Sequence, residues 1–325
     1  KYLWKPSAEN IQATNMYHFM NQVNDRFGHN FSDYNQLYEW SVENIPEFWE
    51  TIWDFSGIVS SEPFREVIDD LSKMPGARWF RGARLNFAEN LLRYRDDQTA
   101  IVFKGESQEP AYLTYAELYS EVARLASAMK ASGVQVGDRV VGFMPNMPQT
   151  IIAMLAATSM GAVWSSCSPD FGIKGVLDRF GQIRPKIIFT ANGYSFKGQK
   201  IDSLARISDI LKQLPSIEKV VVVPHTDPEP NISAVPNAVL YQNFLAVDTD
   251  LDIEFTQLPF GHPLYIMYSS GTTGLPKCMV QSTGGILIHH LKELMLHTDL
   301  KRKDTIFYFT TCGWMMWNWL TSSLA

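Results

Sequence analysis

Long apolar runs are missing from this chain. No stretch approaches the roughly 18 apolar residues of a membrane-spanning helix, and the opening KYLWKPSAEN lacks the apolar core of a signal peptide. No membrane span is expected, although the first residue is Lys1 and not Met. Cysteine is scarce: Cys167, Cys278 and Cys312 are odd in number, far apart and without metal-ligand spacing. Neither a disulfide framework nor a metal site is expected, and a reducing, cytosolic setting fits such usage. Positive charge is in deficit, with 28 Lys and Arg against 34 Asp and Glu and a net charge of -6. That argues against a protein gripping nucleic acid through a broad basic face, while a local anion site stays open. Low-complexity tracts and repeats of fixed period are absent too. With 46% hydrophobic and 13% aromatic residues, the 325-residue chain reads as globular. Its length suits one large α/β unit or two fused subdomains.

Residues 1–95 hold five of the nine tryptophans and little strand-like alternation. In NIPEFWETIWDF, Ile45, Phe48, Trp49, Ile52 and Trp53 form one helical stripe, with Pro46 suited to the first turn. The spacing predicts a helical, aromatic-rich lead-in whose tryptophans are packing anchors. Residues 96–325 read differently. TYAELYSEVARLASAMKASG opens with a capping box, Thr114 and Glu117, carries Leu118, Val122, Leu125 and Met129 on one face and ends at Gly133. RVVGFM, AVWSSC, KIIFT, KVVVVP and TIFYFT read as strands, and PQTIIAMLAATSM, GVLDRFGQI and DSLARISDILKQL as helices. Short buried strands alternating with helices predict an α/β fold with a mostly parallel sheet, in which ligands sit at the carboxyl ends of strands.

One such end carries the densest polar motif. PLYIMY reads as a strand, and SSGTTGLPK leaves it. Ser269, Ser270, Thr272 and Thr273 offer hydroxyls, Gly271 and Gly274 let backbone amides approach, and Lys277 supplies a cation. Hydrogen bonds to a charged phosphate contribute about 1.5–3 kcal/mol each, so the set suits a triphosphate. The spacing is not that of the nucleotide-binding GxxxxGK loop, which argues against a kinase or GTPase. By composition alone, the same stretch equally suits a flexible surface loop.

YSSGTTGLPKCMVQSTGG resembles the phosphate-binding signature of the adenylate-forming superfamily, and the likeness covers nearly the whole chain. YEWSVENIPEFWETIWDFSGI and WFRGARLNFAENLL are similar to the N-terminal segment of its acetyl-CoA synthetase group. TTCGWMMWNWL, with Cys278 after the motif lysine, resembles the acetoacetyl-CoA synthetase branch. Acetyl-CoA synthetases usually carry Gly-Trp-Val-Thr-Gly-His where Gly313, Trp314, Met315, Met316, Trp317 and Asn318 stand here.

The resemblance implies two steps. Acetoacetate attacks the α-phosphate of Mg2+-bound ATP to give an acyl-adenylate, and the thiol of coenzyme A then displaces AMP. It implies that Ser269, Ser270, Gly271, Thr272, Thr273, Gly274 and Lys277 cradle the phosphates, with Lys277 and Thr272 as the catalytic residues. Gly313, Trp314, Met315 and Met316 would shape the acyl pocket, although Met and Trp at this density equally suit a core. Lys197, Gly198 and Lys200 of FKGQK would meet coenzyme A, or else form a solvated turn without the arginines usual in acetyl-CoA synthetases. The histidines His289 and His290 make no metal pair and read as structural, and Arg81 and Arg84 read as surface or packing cations.

The family's adenine, ribose and lid segments have no counterpart before Ala325, and CGWMMWNWLTSSLA ends without a stop signal. A fold interrupted at Ala325 is therefore expected. Two readings follow: part of an acetoacetate-activating ligase serving ketone-body and lipid metabolism, with acetate or propionate as the alternative acid, or a shortened noncatalytic chain that binds nucleotide or a partner.

Overall fold

The computed structural model describes residues 3–106, 108–270 and 274–325. Its lead-in runs through helices α1 (Ala8–Gln12), α2 (Asn15–Phe27), α3 (Tyr34–Glu43) and α4 (Ile45–Ser56). Ser7, Thr14 and Asp33 cap the first three through side-chain oxygens that accept from first-turn amides. Along α4 the aromatic stripe turns inward: Ile52 and Trp53 are buried, and Trp53 stacks on Phe80 with ring centroids 4.9 Å apart. The lead-in is not purely helical. Glu66–Ile68 pairs antiparallel with Trp79–Arg81, in strands too short for alternation to show in the sequence. Arg81 meets Glu66 at 2.6 Å, and Arg84 donates to Gln257 O at 2.8 Å.

Beyond it, helix α5 (Tyr115–Ala131) begins at the expected capping box. The Thr114 hydroxyl accepts from the Glu117 amide at 3.1 Å, while the Glu117 carboxylate accepts from the Thr114 amide at 2.8 Å. Seven strands then form one sheet: β1 (Arg139–Phe143), β2 (Val163–Cys167), β3 (Ile187–Ala191), β4 (Lys219–Val223), β5 (Ala238–Leu240), β6 (Pro263–Ser269) and β7 (Lys277–Ser282). Their spatial order is β5-β4-β3-β1-β2-β6-β7. Every neighbouring pair is parallel except β6 and β7.

Helices α6 (Pro148–Ser159), α7 (Ile173–Ile183) and α8 (Leu204–Leu211) cross between strands. Successive residues of a strand face opposite sides, so the sheet feeds two cores. Val140, Ile187, Phe189 and Val221 join α5 and α6 on one side. Val141, Ile188, Val220 and Val222 join α7 and α8 on the other. The first of these cores also takes in the lead-in and helices α9 (Thr283–Lys292) and α10 (Met315–Thr321).

One expected strand is absent, and one strand was not expected. TIFYFT is irregular and not a strand, with Phe307 82% and Phe309 89% exposed. The segment is rich in β-branched and aromatic residues, yet no described strand pairs with it, and such propensity alone does not hold a strand. KCMVQS, in contrast, forms β7. It is an edge strand with an exposed face, so the buried pattern that marks inner strands is missing.

Candidate active site

Ser269 ends β6 and Lys277 begins β7, and the two are partners in the antiparallel ladder. The hydroxyl-rich loop is therefore the connection of a hairpin. Its two ends are fixed by main-chain pairing that continues through Tyr268 with Cys278 and Met267 with Met279. Gly271, Thr272 and Thr273 lie outside the described residues. Ser270 and Lys277 are exposed. Gly274 has a φ of +119°, a backbone conformation that a residue with a Cβ rarely adopts.

The root of this hairpin is braced from two sides. Gln182 of α7 donates through Nε2 to Pro276 O at 2.8 Å, tying that helix to the return limb. On the other limb the Ser165 hydroxyl of β2 lies 2.8 Å from Ile266 O and 3.1 Å from the Tyr268 hydroxyl. Burial pushes the Tyr268 hydroxyl up, far from ionisation at neutral pH. The Arg179 guanidinium sits 4.5 Å from the Phe171 ring centroid and 5.7 Å from that of Tyr268.

Beside the hairpin, the segment 312–322 is anchored at the carboxyl ends of β1 and β2, where the strand order reverses and ligands commonly bind. Ser166 Oγ donates to Cys312 O at 2.5 Å, and Cys312 Sγ lies 2.9 Å from Met144 O. Burial is the largest of the effects that push the Cys312 thiol up to about 12. Trp317 is 1% exposed and donates through Nε1 to Asn146 Oδ1 at 2.9 Å. Ser322 Oγ donates to Asn318 O at 3.1 Å and sits 2.8 Å from Nδ1 of the buried His290. Of the residues assigned to the acyl pocket, Trp314 is 67% and Met315 50% exposed, Met316 is half-buried, and Gly313 lies against Ser168 and Phe171. Trp317, not Trp314, is the core anchor.

The hairpin and this segment meet at a residue that sequence reasoning passed over as an active-site group. Asn318 is buried, and its Nδ2 lies 3.4 Å from Trp314 O and 3.9 Å from Met267 Sδ, two residues before Ser269. Its Oδ1 is closed off and has no hydrogen-bond partner among the described residues. Ser165 and Gln182 were also missed. Each lies on an element distant in sequence from the loop it supports, so only the fold brings them together.

The FKGQK turn is built differently from a row of free cations. Lys197 and Gly198 have φ values of +51° and +76°, which aims both amides at one point. There the Glu106 carboxylate accepts from Lys197 N at 3.1 Å and Gly198 N at 2.9 Å. Lys200 Nζ donates to Thr226 O at 3.0 Å, holding the hairpin to the next loop, and the Lys197 ammonium lies 5.3 Å from the Phe196 ring centroid. This turn touches neither Asn318 nor the described part of the phosphate loop in any hydrogen bond described above.

Comparison with known proteins gives a consistent answer. Residues 87–324 match the AMP-binding enzyme family, and residues 34–91 match the acetyl-coenzyme A synthetase N-terminus. The chain is 48% identical to acetoacetyl-CoA synthetase of Danio rerio, over 100% of this chain and 49% of that protein. It is 45% identical to acetoacetyl-coenzyme A synthetase of Rhizobium meliloti, over 99% of this chain and 49% of that protein. The solved structure of acetoacetyl-CoA synthetase from Streptomyces lividans superimposes with a TM-score of 0.94 at 41% identity, covering 100% of this chain and 50% of that one. The chain spans about half the length of the curated relatives it matches.

Proposed function

Because the chain belongs to the AMP-binding enzyme family, we propose that it carries the phosphate loop and acyl wall of a ligase that activates acetoacetate as acetoacetyl-CoA. The observation that carries this reading is the Ser269–Lys277 pairing, which closes a hydroxyl- and glycine-rich loop with a cation on its return strand. The names of the acetoacetyl-CoA synthetases to which the chain is similar support the choice of acid.

In the first step a carboxylate oxygen attacks the α-phosphorus of ATP. The bond to the β,γ-phosphates breaks, and pyrophosphate leaves with the charge. Ser269, Ser270, Gly271, Thr272, Thr273 and Gly274 hold the phosphate oxygens, and Lys277 meets the charge that moves onto the leaving group. Such preorganised donors are commonly the largest catalytic contribution. Mg2+ enters with the nucleotide, so hydroxyls, amides and one ammonium match the phosphate oxygens left to the protein. In the second step the thiol of coenzyme A attacks the acyl carbonyl and AMP leaves. Lys197, Gly198 and Lys200 form the turn proposed to meet coenzyme A, and Gly313, Trp314, Met315 and Met316 the wall proposed to meet the acyl chain. Residues 1–95 serve as the N-terminal segment and 96–325 as part of the ligase domain. The product would feed ketone-body carbon into lipid synthesis in the cytosol. Among the described residues no helix is long and apolar enough to cross a membrane.

Exchange of labelled pyrophosphate into ATP tests the reading, using the full-length native protein with acetoacetate, acetate and propionate in parallel. Exchange with acetoacetate is the expected result. Preference for acetate or propionate removes the choice of acid, and no exchange with any acid removes the adenylation step.

A further inference from the structure

We infer that Ser165 is a positioning residue for the phosphate loop, acting through Tyr268, an inference that rests on adenylation as proposed above. The parallel ladder of β2 with β6 pairs Trp164 with Tyr265 and Ser165 with Ile266. Beyond Ile266, the residues Met267, Tyr268 and Ser269 pair only with β7 among the described strands. The end of the hairpin that carries the loop is therefore no longer braced by main-chain bonds to β2. Ser165 sits at the point of departure. It is 1% exposed, and its hydroxyl lies 2.8 Å from Ile266 O and 3.1 Å from the Tyr268 hydroxyl. The Ile266 carbonyl can only accept, so the single Ser165 proton goes to it and the Tyr268 hydroxyl donates to Ser165 Oγ. One buried hydroxyl thus ties both the last paired residue of β6 and the side chain two residues further on.

Placing Tyr268 places the loop's first hydroxyl. Successive residues of a strand face opposite sides, so clamping the Tyr268 side chain on one side decides the side on which that of Ser269 emerges. The cross-strand partner of Tyr268 is Cys278, next to Lys277, so the same clamp reaches the cation. Neighbouring contacts act in the same sense. Tyr268 is half-buried with the Arg179 guanidinium 5.7 Å from its ring centroid, and Gln182 holds the return limb at Pro276 O. The next residue of β2, Ser166, faces the other side of the sheet and donates to Cys312 O, so the segment proposed to meet the acid has its own support. The influence of Ser165 should therefore fall on the nucleotide and not on the acid.

The test is acetoacetate-dependent pyrophosphate exchange with the full-length native protein, in wild type, Tyr268→Phe, Ser165→Ala and the double variant. Tyr268→Phe keeps the ring and its packing. It covers the case in which Ser165→Ala, which leaves the Tyr268 hydroxyl unpaired, does not fold. Each single variant should raise KM for ATP by about 2- to 10-fold, the factor for one lost hydrogen bond, while KM for acetoacetate stays at its wild-type value. Neither KM depends on the fraction of folded protein, so a merely structural role would leave both unchanged. The double variant should be no worse than the more impaired single variant, because all three lack the same bond. An unchanged KM for ATP in Tyr268→Phe, an equal rise in both KM values, or multiplied effects in the double variant overturns the assignment. Wild-type protein that does not exchange would instead overturn the adenylation reading itself.

Discussion

Ser269 and Lys277 are cross-strand partners in the β6–β7 ladder, so the cation of the motif is placed by sheet register and not by loop flexibility. Register is strongly fixed where a strand is buried, and β6 is buried from Leu264 to Ile266. The positions of Ser269 and Lys277 are therefore coupled through the main chain.

Removing that cation should therefore impair chemistry without unfolding the hairpin. Lys277 is exposed, and its alanine variant loses no buried contact. Lys277→Ala should lower acid-dependent pyrophosphate exchange by about one to three orders of magnitude, comparable with losing an oxyanion donor worth about 2.7–4 kcal/mol. Lys277→Arg should retain more exchange because the charge remains. Wild-type rates in the alanine variant would exclude the lysine from adenylation.

Thiol reactivity should follow burial. Cys167 and Cys312 are buried, and burial pushes both thiols up, Cys312 to about 12. The thiolate is the reactive form, so neither should alkylate in the native protein near pH 7.5. Both should react once the protein is unfolded in denaturant. Mass mapping of iodoacetamide adducts decides this, and rapid native labelling of Cys312 would contradict the packing of its segment against Met144 and Ser166.

Much of this architecture was legible because local rules and tertiary structure agree. The capping box at Thr114, the α4 stripe and the strands β1–β4 each combine a repeating pattern with burial. β7 was not legible, since an exposed edge strand carries no period of apolar residues, and TIFYFT misled because its β-branched and aromatic residues have no partner strand among the described residues. In the site, the hydroxyl- and glycine-rich loop stood out by its composition, while its proposed role came from the family resemblance. Asn318 did not stand out, because an asparagine in an aromatic run gains meaning only from what surrounds its amide. Glu106 was equally hidden: it meets a turn 91 residues further along the chain.

That contact gives its own test. The Lys197 and Gly198 amides both donate to Glu106, charge-assisted bonds on an otherwise exposed turn. Glu106→Ala should speed hydrogen exchange at these two amides severalfold while the β1–β4 core keeps its protection, because local openings are independent of the global one. Measured by NMR or mass spectrometry, unchanged exchange at 197 and 198 would mean that the carboxylate does not order the turn in solution.

Acid stability should carry the signature of His290. Burial is the main cause that lowers its pKa to about 3, with His289 adding to the shift and Glu293 opposing it, whereas the unfolded chain titrates near 6.5. Between these values the unfolded state binds a proton that the folded state refuses. Stability contributed by the neutral ring is thus fully present above pH 6.5 and declines as pH falls towards 3, with a limiting slope of about 1.4 kcal/mol per pH unit. Other groups titrate in the same range, His225 and His289 among them, both lowered by burial, so the comparison must be with a variant. His290→Asn keeps a donor towards Ser322 and removes the titrating ring. Urea unfolding at pH 7.5, 6.0 and 5.0 should show wild type losing stability faster than His290→Asn below pH 6.5, with parallel behaviour above it. Parallel curves at all three pH values would show that the ring is not held neutral between α9 and Ser322.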